Sequence, residues 1–507
     1  MFPGFDIDLH AATPVYQQIV DAVREAALDG RMRPLAKLPP TRELARRLGV
    51  NRNTVVAAYE KLAAEGWIRS HTGRGTFLVA RPNAAAEAPE SSAEPARWFT
   101  AFSRAVEGAS VGGLQSIYRL AIDPHGISFV GSYPADELMP LAPFARAMNQ
   151  VLSRGDARIL AYGPTSGHPP LRETIAAGMR RDGSPAEVDD ILVTNGAQQA
   201  LELVFRAFVD RDEAVVVEEP TYTGALTVLG ALGARVVGVP VDEEGMRPDL
   251  LAMAVERHHP RLIYVQPTFQ NPTTRVMSEA RRAEVLAVAN RFQCPILEDD
   301  WACDLRLEGD PLPSLHAMDG GRHVIHLSTF SKKLMPGLRV GWVVAPPPVL
   351  GNLVELKRTQ DCGTSPLLQA ALDQFLRDGG LDRHLERILP AYRERRDTMV
   401  AALERHFPPG AQWSRPTGGL FVWVTLAEDF DGHELFDAAR RRGVLYSRGD
   451  LFHSDGSGRN TLRLTYSGAS PSQIDTGVAT LGELVCARRP ERDTLEQRRA
   501  VEDMPIF

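Results

Sequence analysis

Between residues 191 and 344 short β-branched runs alternate with stretches long enough to form a helix. That alternation limits the folds open to the chain more than any other feature. The runs are Ile191–Thr194, Ala214–Val217, Arg235–Val239, Leu262–Val265, Pro295–Leu297, Val324–Leu327 and Val340–Val344. Helix-length connections return each strand parallel to the last by a right-handed crossover. The spacing predicts an α/β body with a mixed, mostly parallel seven-stranded sheet. Only the last two runs lie too close for a helical crossover, so one strand is expected antiparallel. The flanking segments, about 115–160 and 365–488, are expected to form a smaller α+β domain.

Residues 82–96 contain no large apolar side chain and are rich in Ala, Pro, Glu and Ser. Such a stretch cannot bury enough surface to order itself. It marks a linker over 81–114 between a head, 1–80, and a body, 115–488, with a polar tail over 489–507. In the head, Val15, Ile19, Val23 and Ala26 recur at helical spacing. Leu44, Ala45 and Leu48 mark a second short helix, and Val55, Tyr59 and Leu62 a third. Thr41 and Asn51 are expected N-caps. Trp67-Ile68 and Thr76-Phe77-Leu78-Val79 flank Gly73-Arg74-Gly75, which suits a hairpin whose tip needs glycine dihedrals. Helix, helix-turn-helix and hairpin make a winged helix.

Charge divides along the same line. Residues 1–80 carry 11 Lys and Arg against 8 Asp and Glu, and the remainder 46 against 56. A basic head therefore precedes an acidic body. Asn51-Arg52-Asn53-Thr54 opens the third helix, the part of a recognition helix that meets base edges. Arginine forks onto guanine and asparagine reads adenine. Arg42 and the wing-tip Arg74 are placed to reach phosphates or the minor groove. Double-stranded DNA is the expected partner; the competing reading is solvated surface charge. The four cysteines show no Cys-x-x-Cys spacing, so neither a zinc site nor a disulfide framework is indicated, and they read as packing residues. No run of eighteen apolar residues and no leader pattern occurs, which predicts a cytoplasmic protein with no membrane partner.

The chemistry gathers after the strands. Ser328-Thr329-Phe330-Ser331-Lys332-Lys333 leads into Pro336-Gly337-Leu338-Arg339. An amine among hydroxyls, with a guanidinium seven residues on, is the company a Schiff-base lysine keeps, and pyridoxal phosphate is the expected cofactor. Glu298-Asp299-Asp300 ends a strand, where a carboxylate can hold a pyridine nitrogen; a plain acidic loop is the alternative. Asn195-Gly196-Ala197-Gln198 opens a helix whose N–H groups can meet phosphate. Tyr222 can stack on a ring or simply pack. Asn271-Pro272 offers an amide to the phenolic oxygen or forms only a turn. Arg463 lies in an alternating strand, where burying an arginine suits a carboxylate clamp.

The segments Val15-Tyr16-Gln17-Gln18-Ile19, Leu38-Pro39-Pro40-Thr41-Arg42-Glu43-Leu44-Ala45, Leu48–Val55 and Gly73-Arg74-Gly75-Thr76-Phe77 resemble the GntR-family winged helix. From Ala161-Tyr162-Gly163 to the Arg463 strand the body resembles class I/II aminotransferases of fold type I. The whole chain resembles the MocR/GabR subfamily of bacterial transcription regulators. The resemblance implies Lys332, rather than Lys333, as the cofactor lysine, Asp299 for the pyridine nitrogen and Asn271 for the phenolic oxygen. It assigns Ala197, Gln198, Thr329 and Arg339 to the phosphate, Tyr222 to stacking and Arg463 to a substrate or effector carboxylate. Tyr162 becomes a phosphate contact across a homodimer interface. On the head it implies contacts from Arg42, Asn51, Arg52, Asn53, Thr54, Gly73 and Arg74.

Two departures from the aminotransferase pattern matter: Trp301 and Ala302 stand where a tyrosine is usual, and Thr274 replaces a glycine. The expected function is a regulator sensing an amino compound, or the cofactor itself, through imine chemistry at Lys332. The competing readings are a working aminotransferase with a DNA-binding head, and a cofactor-independent regulator whose body only dimerises.

Overall fold

The computed structural model describes residues 7, 13–28, 32, 36–65, 67–71, 75–79, 105–106 and 126–487, which fall into two compact units, 1–100 and 101–507. The head contains α1 (Val15–Leu28), β1 (Lys37–Leu38), α2 (Thr41–Leu48), α3 (Arg52–Ala64), β2 (Ile68–His71) and β3 (Gly75–Leu78). The strands run antiparallel in the order β1-β3-β2. Ile19 and Val23, Leu44, Val55 and Leu62, and Ile68 and Leu78 close one apolar core. Tyr59 joins them, and its hydroxyl donates to the Pro39 carbonyl at 2.8 Å.

Gly49, at φ +66°, turns α2 into α3. The Asn51 side chain caps α3 by accepting from the Asn53 amide at 2.9 Å. Thr41, expected as a cap, is instead the first helical residue, with Pro40 at the cap position. The wing tip Gly73-Arg74 and the polar tail lie outside the described residues, as does the linker apart from residues 105–106.

In the body, β4 (Ile127–Phe129) belongs to a small sheet. The large sheet follows with β5 (Ile191–Thr194), β6 (Ala214–Glu219), β7 (Arg235–Asp242), β8 (Gly245–Met246), β9 (Leu262–Val265), β10 (Ile296–Asp299), β11 (Val324–Thr329) and β12 (Gly341–Val344). Its order is β5-β12-β11-β10-β9-β6-β7-β8. β6, β7, β9, β10 and β11 are parallel, and β12 runs antiparallel to both of its neighbours. The sheet has eight strands rather than seven, because two residues after a tight turn hairpin onto β7. A two-residue strand shows no periodicity in a sequence.

The small sheet takes β13 (Gln412–Trp413), β14 (Phe421–Thr425), β15 (Val444–Arg448) and β16 (Thr461–Thr465) in the order β13-β14-β16-β15-β4. The flanking segments do not all go to it. Helices Leu141–Ser153 and Pro366–Arg377 place Ala147, Leu372 and Phe375 against Ile191 and Val193 of the large sheet. Among the described residues no helix is long and apolar enough to cross a membrane. Of the cysteines, Cys294 is buried and Cys303 half-buried, but Cys362 and Cys486 are exposed, so packing does not account for all four.

The parallel strands β6, β9, β10 and β11 bring their C-terminal ends to one edge, the place where open α/β sheets bind ligands. Gly341 permits that edge to close. A Cβ there would lie 2.9 Å from the Ser328 carbonyl oxygen and 3.1 Å from the Ala197 nitrogen, both immovable backbone. Gly341→Ala is expected to destabilise the body by about 1–3 kcal/mol through overpacking. The check is a lowered urea midpoint of the full-length chain at an unchanged slope.

Candidate cofactor site and nucleic-acid face

Lys332 leaves the loop after β11 and is half-buried. Burial, then the Arg463 and Arg339 cations, lower its amine pKa to about 8, against the pull of Asp299. Lys333, one residue on, is buried but ion-paired with Asp304, its ammonium 5.3 and 5.1 Å from the ring centres of Phe330 and Trp342. Burial works against its charge, but Asp304 prevails and its pKa is raised. Two adjacent lysines are thus sorted into one whose amine releases its proton readily and one held as a fixed cation.

Asp299 ends β10 and is buried. Its Oδ2 accepts from the Tyr264 hydroxyl at 2.7 Å and from Gln266 Nε2 at 2.9 Å. Burial raises its pKa to about 6, and these two donors hold it down against further rise. Gln266 Oε1 accepts from the Asn271 backbone amide at 3.1 Å. Asn271 Oδ1 in turn accepts from Arg463 Nη1 at 2.9 Å, which leaves its NH₂ group to face outward. Arg463, in the middle of β16, also donates to the Val130 carbonyl at 3.1 Å and to Ser447 Oγ at 3.3 Å. Its guanidinium lies 4.7 and 4.9 Å from the centres of Phe421 and Phe452.

Tyr264 and Gln266 were not singled out by sequence reasoning. Their two-residue spacing on and just past β9, both reaching Asp299, was the available signal.

Ala197 and Gln198 form the first turn of helix Ala197–Phe208, capped by Gly196 at φ +84°. Gln198 donates to the Gly224 carbonyl at 3.0 Å. Arg339 is anchored at this helix start by a 2.9 Å bond to the Asn195 carbonyl. Thr329 is buried, and its hydroxyl accepts from the Ser331 amide at 3.1 Å, inside the loop. Tyr222 is half-buried beside Gly224, where a Cβ would come 2.4 Å from its ring.

Tyr162 does not join these residues: it is 94% exposed. The group Glu219, His453 and Asp455 has metal-ligand spacing. Glu219 there bonds His453 Nδ1 at 2.8 Å and the Ser454 amide at 3.2 Å, which pins the loop that carries Phe452.

Two observations fit a pyridine cofactor with a phosphate. Asp299 Oδ1 is buried without a partner, an acceptor awaiting an N–H. A Cβ at Gly196 would come 2.7 Å from the Arg339 guanidinium, so only bare backbone lets helix N-terminus and cation converge as an anion cradle. In the head, Arg42, Asn51, Arg52 and Asn53 are exposed and Thr54 is half-buried. Arg52, Asn53 and Thr54 form the first turn of α3, directly after the Asn51 cap.

Residues 130–481 match the family described as aminotransferase class I and II, and residues 15–78 match the bacterial regulatory proteins of the gntR family. Aromatic-amino-acid aminotransferase 1 of Thermococcus litoralis is 35% identical over 76% of this chain and 94% of that protein. The probable rhizopine catabolism regulatory protein MocR of Rhizobium meliloti is 31% identical over 94% of each chain. The crystal structure of LysN, an α-aminoadipate aminotransferase of Thermus thermophilus complexed with N-(5'-phosphopyridoxyl)-L-leucine, superposes with a TM-score of 0.73. It is 34% identical and covers 77% of this chain and 99% of that one. The chain belongs to the class I and II aminotransferase family in its body and to the gntR family in its head, the two-part build of MocR-type regulators.

Proposed function

We propose that this protein is a DNA-binding regulator whose body binds pyridoxal phosphate and reads an amino compound through Lys332. The observation that carries the reading is Lys332 on the loop after β11, its pKa lowered by burial and by the Arg463 and Arg339 cations, in a chain that also bears a gntR head. Pyridoxal phosphate supplies an aldehyde that condenses with amines and a ring that draws electrons. Asp299 Oδ1 would hold the ring nitrogen's proton, Asn271 would donate to the phenolic oxygen, and Tyr222 would stack on the ring. Ala197, Gln198, Thr329 and Arg339 surround the phosphate. Arg463 orients the carboxylate of an incoming amino compound.

Four large apolar side chains are exposed within one short stretch: Leu141, Leu152, Leu160 and Tyr162. Such a concentration suits a self-complementary interface. We assign it to a homodimer in which Tyr162 serves the partner's phosphate. Two heads per dimer double the contacts to paired operator sites. Arg52 and Asn53 read bases, while Arg42 and, at the wing, Gly73 and Arg74 meet the backbone.

A second reading, an active amino acid:2-oxo acid transaminase with a DNA-binding head, is favoured by the unbroken line Asp299–Gln266–Asn271–Arg463. Sustained amino transfer to a keto acid by the purified protein separates the two: the regulator binds the amino compound and stalls.

Lys332→Ala is expected to abolish the visible absorbance of the purified protein, whereas Lys333→Met, which loses the Asp304 ion pair and the contacts over Phe330 and Trp342, keeps it. The reverse result would transfer the role to Lys333. Because the lowered pKa leaves Lys332 neutral at a lower pH than a free lysine, capture of pyridoxal phosphate by cofactor-free protein should speed up about tenfold per pH unit below 8. It should level off above 8. Arg463→Gln removes a cation that lowers this pKa and should move the plateau to higher pH. On the head, Arg52→Ala is expected to cost about 1–3 kcal/mol of operator affinity and to relax preference at one base pair. Binding assays against a panel of operator point variants read both effects.

A further inference from the structure

We propose that the body holds a second, non-covalent site for a zwitterionic amino compound with an apolar side chain, on the face of β10, β11 and β12 turned away from Lys332. A cavity of about 1070 Å³ lies there. Asp300 and Lys333 line it, while their chain neighbours Asp299 and Lys332 belong to the cofactor site.

The strand register sets its floor. The Asp300 amide donates to the Leu327 carbonyl at 2.9 Å, Ser328 Oγ donates to the Asp300 carbonyl at 2.8 Å, and Ser328 pairs with Trp342. Asp300, Ser328 and Trp342 therefore stand in one row across three strands. At roughly 4.8 Å per strand the row spans about 10 Å.

The ends of that row carry unmet hydrogen-bonding capacity of opposite kinds. Asp300 Oδ1 is an acceptor and Trp342 Nε1 a donor; both are buried and neither has a partner. Their residues are 8% and 6% exposed. A buried polar atom left unpaired is costly, and two in one cavity call for a ligand that offers a donor at one end and an acceptor at the other. An ammonium meets Asp300. A carboxylate meets the indole N–H, with the Lys333 ammonium close by over the Trp342 ring. Ile175, Leu376 and Leu381 supply an apolar wall for a side chain.

Burial, the largest influence, raises the Asp300 pKa; His326 and a hydrogen bond from Cys303 oppose that rise, while Glu298 and Asp304 add to it, so an arriving ammonium favours the ionised carboxyl. The site does not depend on the cofactor chemistry. It is coupled to it through the chain, since a ligand that draws on Asp300 and Lys333 acts on the residues bonded to Asp299 and Lys332.

The test is calorimetric titration of the full-length holo-protein with N,N-dimethyl-L-leucine. Its tertiary amine cannot form an imine with the cofactor, yet when protonated it keeps one N–H. Binding is expected in the wild type, weakened at least tenfold in Asp300→Asn, severalfold in Trp342→Phe, and unchanged in Arg463→Gln. Asp300→Asn removes the buried charge at nearly constant shape, and retained cofactor absorbance confirms that it folds. Absence of binding to the wild type overturns the proposal. So does binding that survives both cavity substitutions but is lost in Arg463→Gln, which would place the probe at the cofactor site.

Discussion

One line of buried hydrogen bonds, donated by Tyr264 and Gln266 to Asp299, by Asn271 to Gln266, and by Arg463 to Asn271, governs the body. It begins on β9 and β10 of the large sheet and ends on β16 of the small one. A buried carboxylate and a buried guanidinium are each several kcal/mol costly when unpaired, so every link is constrained by the next. Asp299 keeps its charge because Tyr264 and Gln266 donate to it. Gln266 can donate there only because its oxygen is taken up by Asn271. Arg463, which terminates the line, is one of the two cations that oppose a proton on Lys332. The reactivity of the amine and the docking of the two sheets therefore share the same atoms, and neither can be altered alone.

Much of this was legible in the sequence, for a physical reason. The strands β5, β6, β7, β9, β10, β11 and β12 announce themselves as β-branched runs, and the ends of parallel strands are where polar clusters such as Glu298-Asp299-Asp300 acquire meaning. What the sequence could not resolve is direction. Glu298, Asp299 and Asp300 separate in the structure. Glu298 accepts from the amides of Leu315 and His316 at 2.7 and 3.0 Å, Asp299 faces the amine, and Asp300 faces the opposite cavity. The choice between Lys332 and Lys333 likewise rests on Asp304, 28 residues upstream of Lys332 in the chain and next to Lys333 in space. Helices Leu141–Ser153 and Pro366–Arg377 were misplaced because an amphipathic face states that it is buried, never against which sheet.

The two departures from the aminotransferase pattern have structural consequences of different kinds. Trp301 is buried, stacks on Phe421 at 5.5 Å with 14° between the planes, and leaves its indole N–H without a partner. An indole can donate a hydrogen bond but cannot give up its proton at any accessible pH, so it can hold an acceptor without relaying a proton. Thr274 adopts φ +61°, a left-handed conformation that costs a β-branched residue about 1–2 kcal/mol. Its hydroxyl lies 2.6 Å from the Thr273 carbonyl and 3.1 Å from Ser414 Oγ, which clips the Asn271 loop to the small domain.

A glycine at 274 would leave the loop held to the small sheet by the Asn271–Arg463 hydrogen bond and by the packing of Phe269 and Val276. Threonine adds a further attachment, which rests on a strained residue that the surroundings must over-determine to keep. Enzymes that turn over rapidly open and close around each substrate, and every added clip between the moving parts slows that cycle. A regulator has the opposite need: it must bind its ligand unequally in two arrangements and remain long enough in one for the difference to be read. In the proposed regulator, a stiffened loop beside a non-ionisable aromatic, with the amine and its carboxylate still in place, would keep the capacity to capture an amino compound while slowing its release.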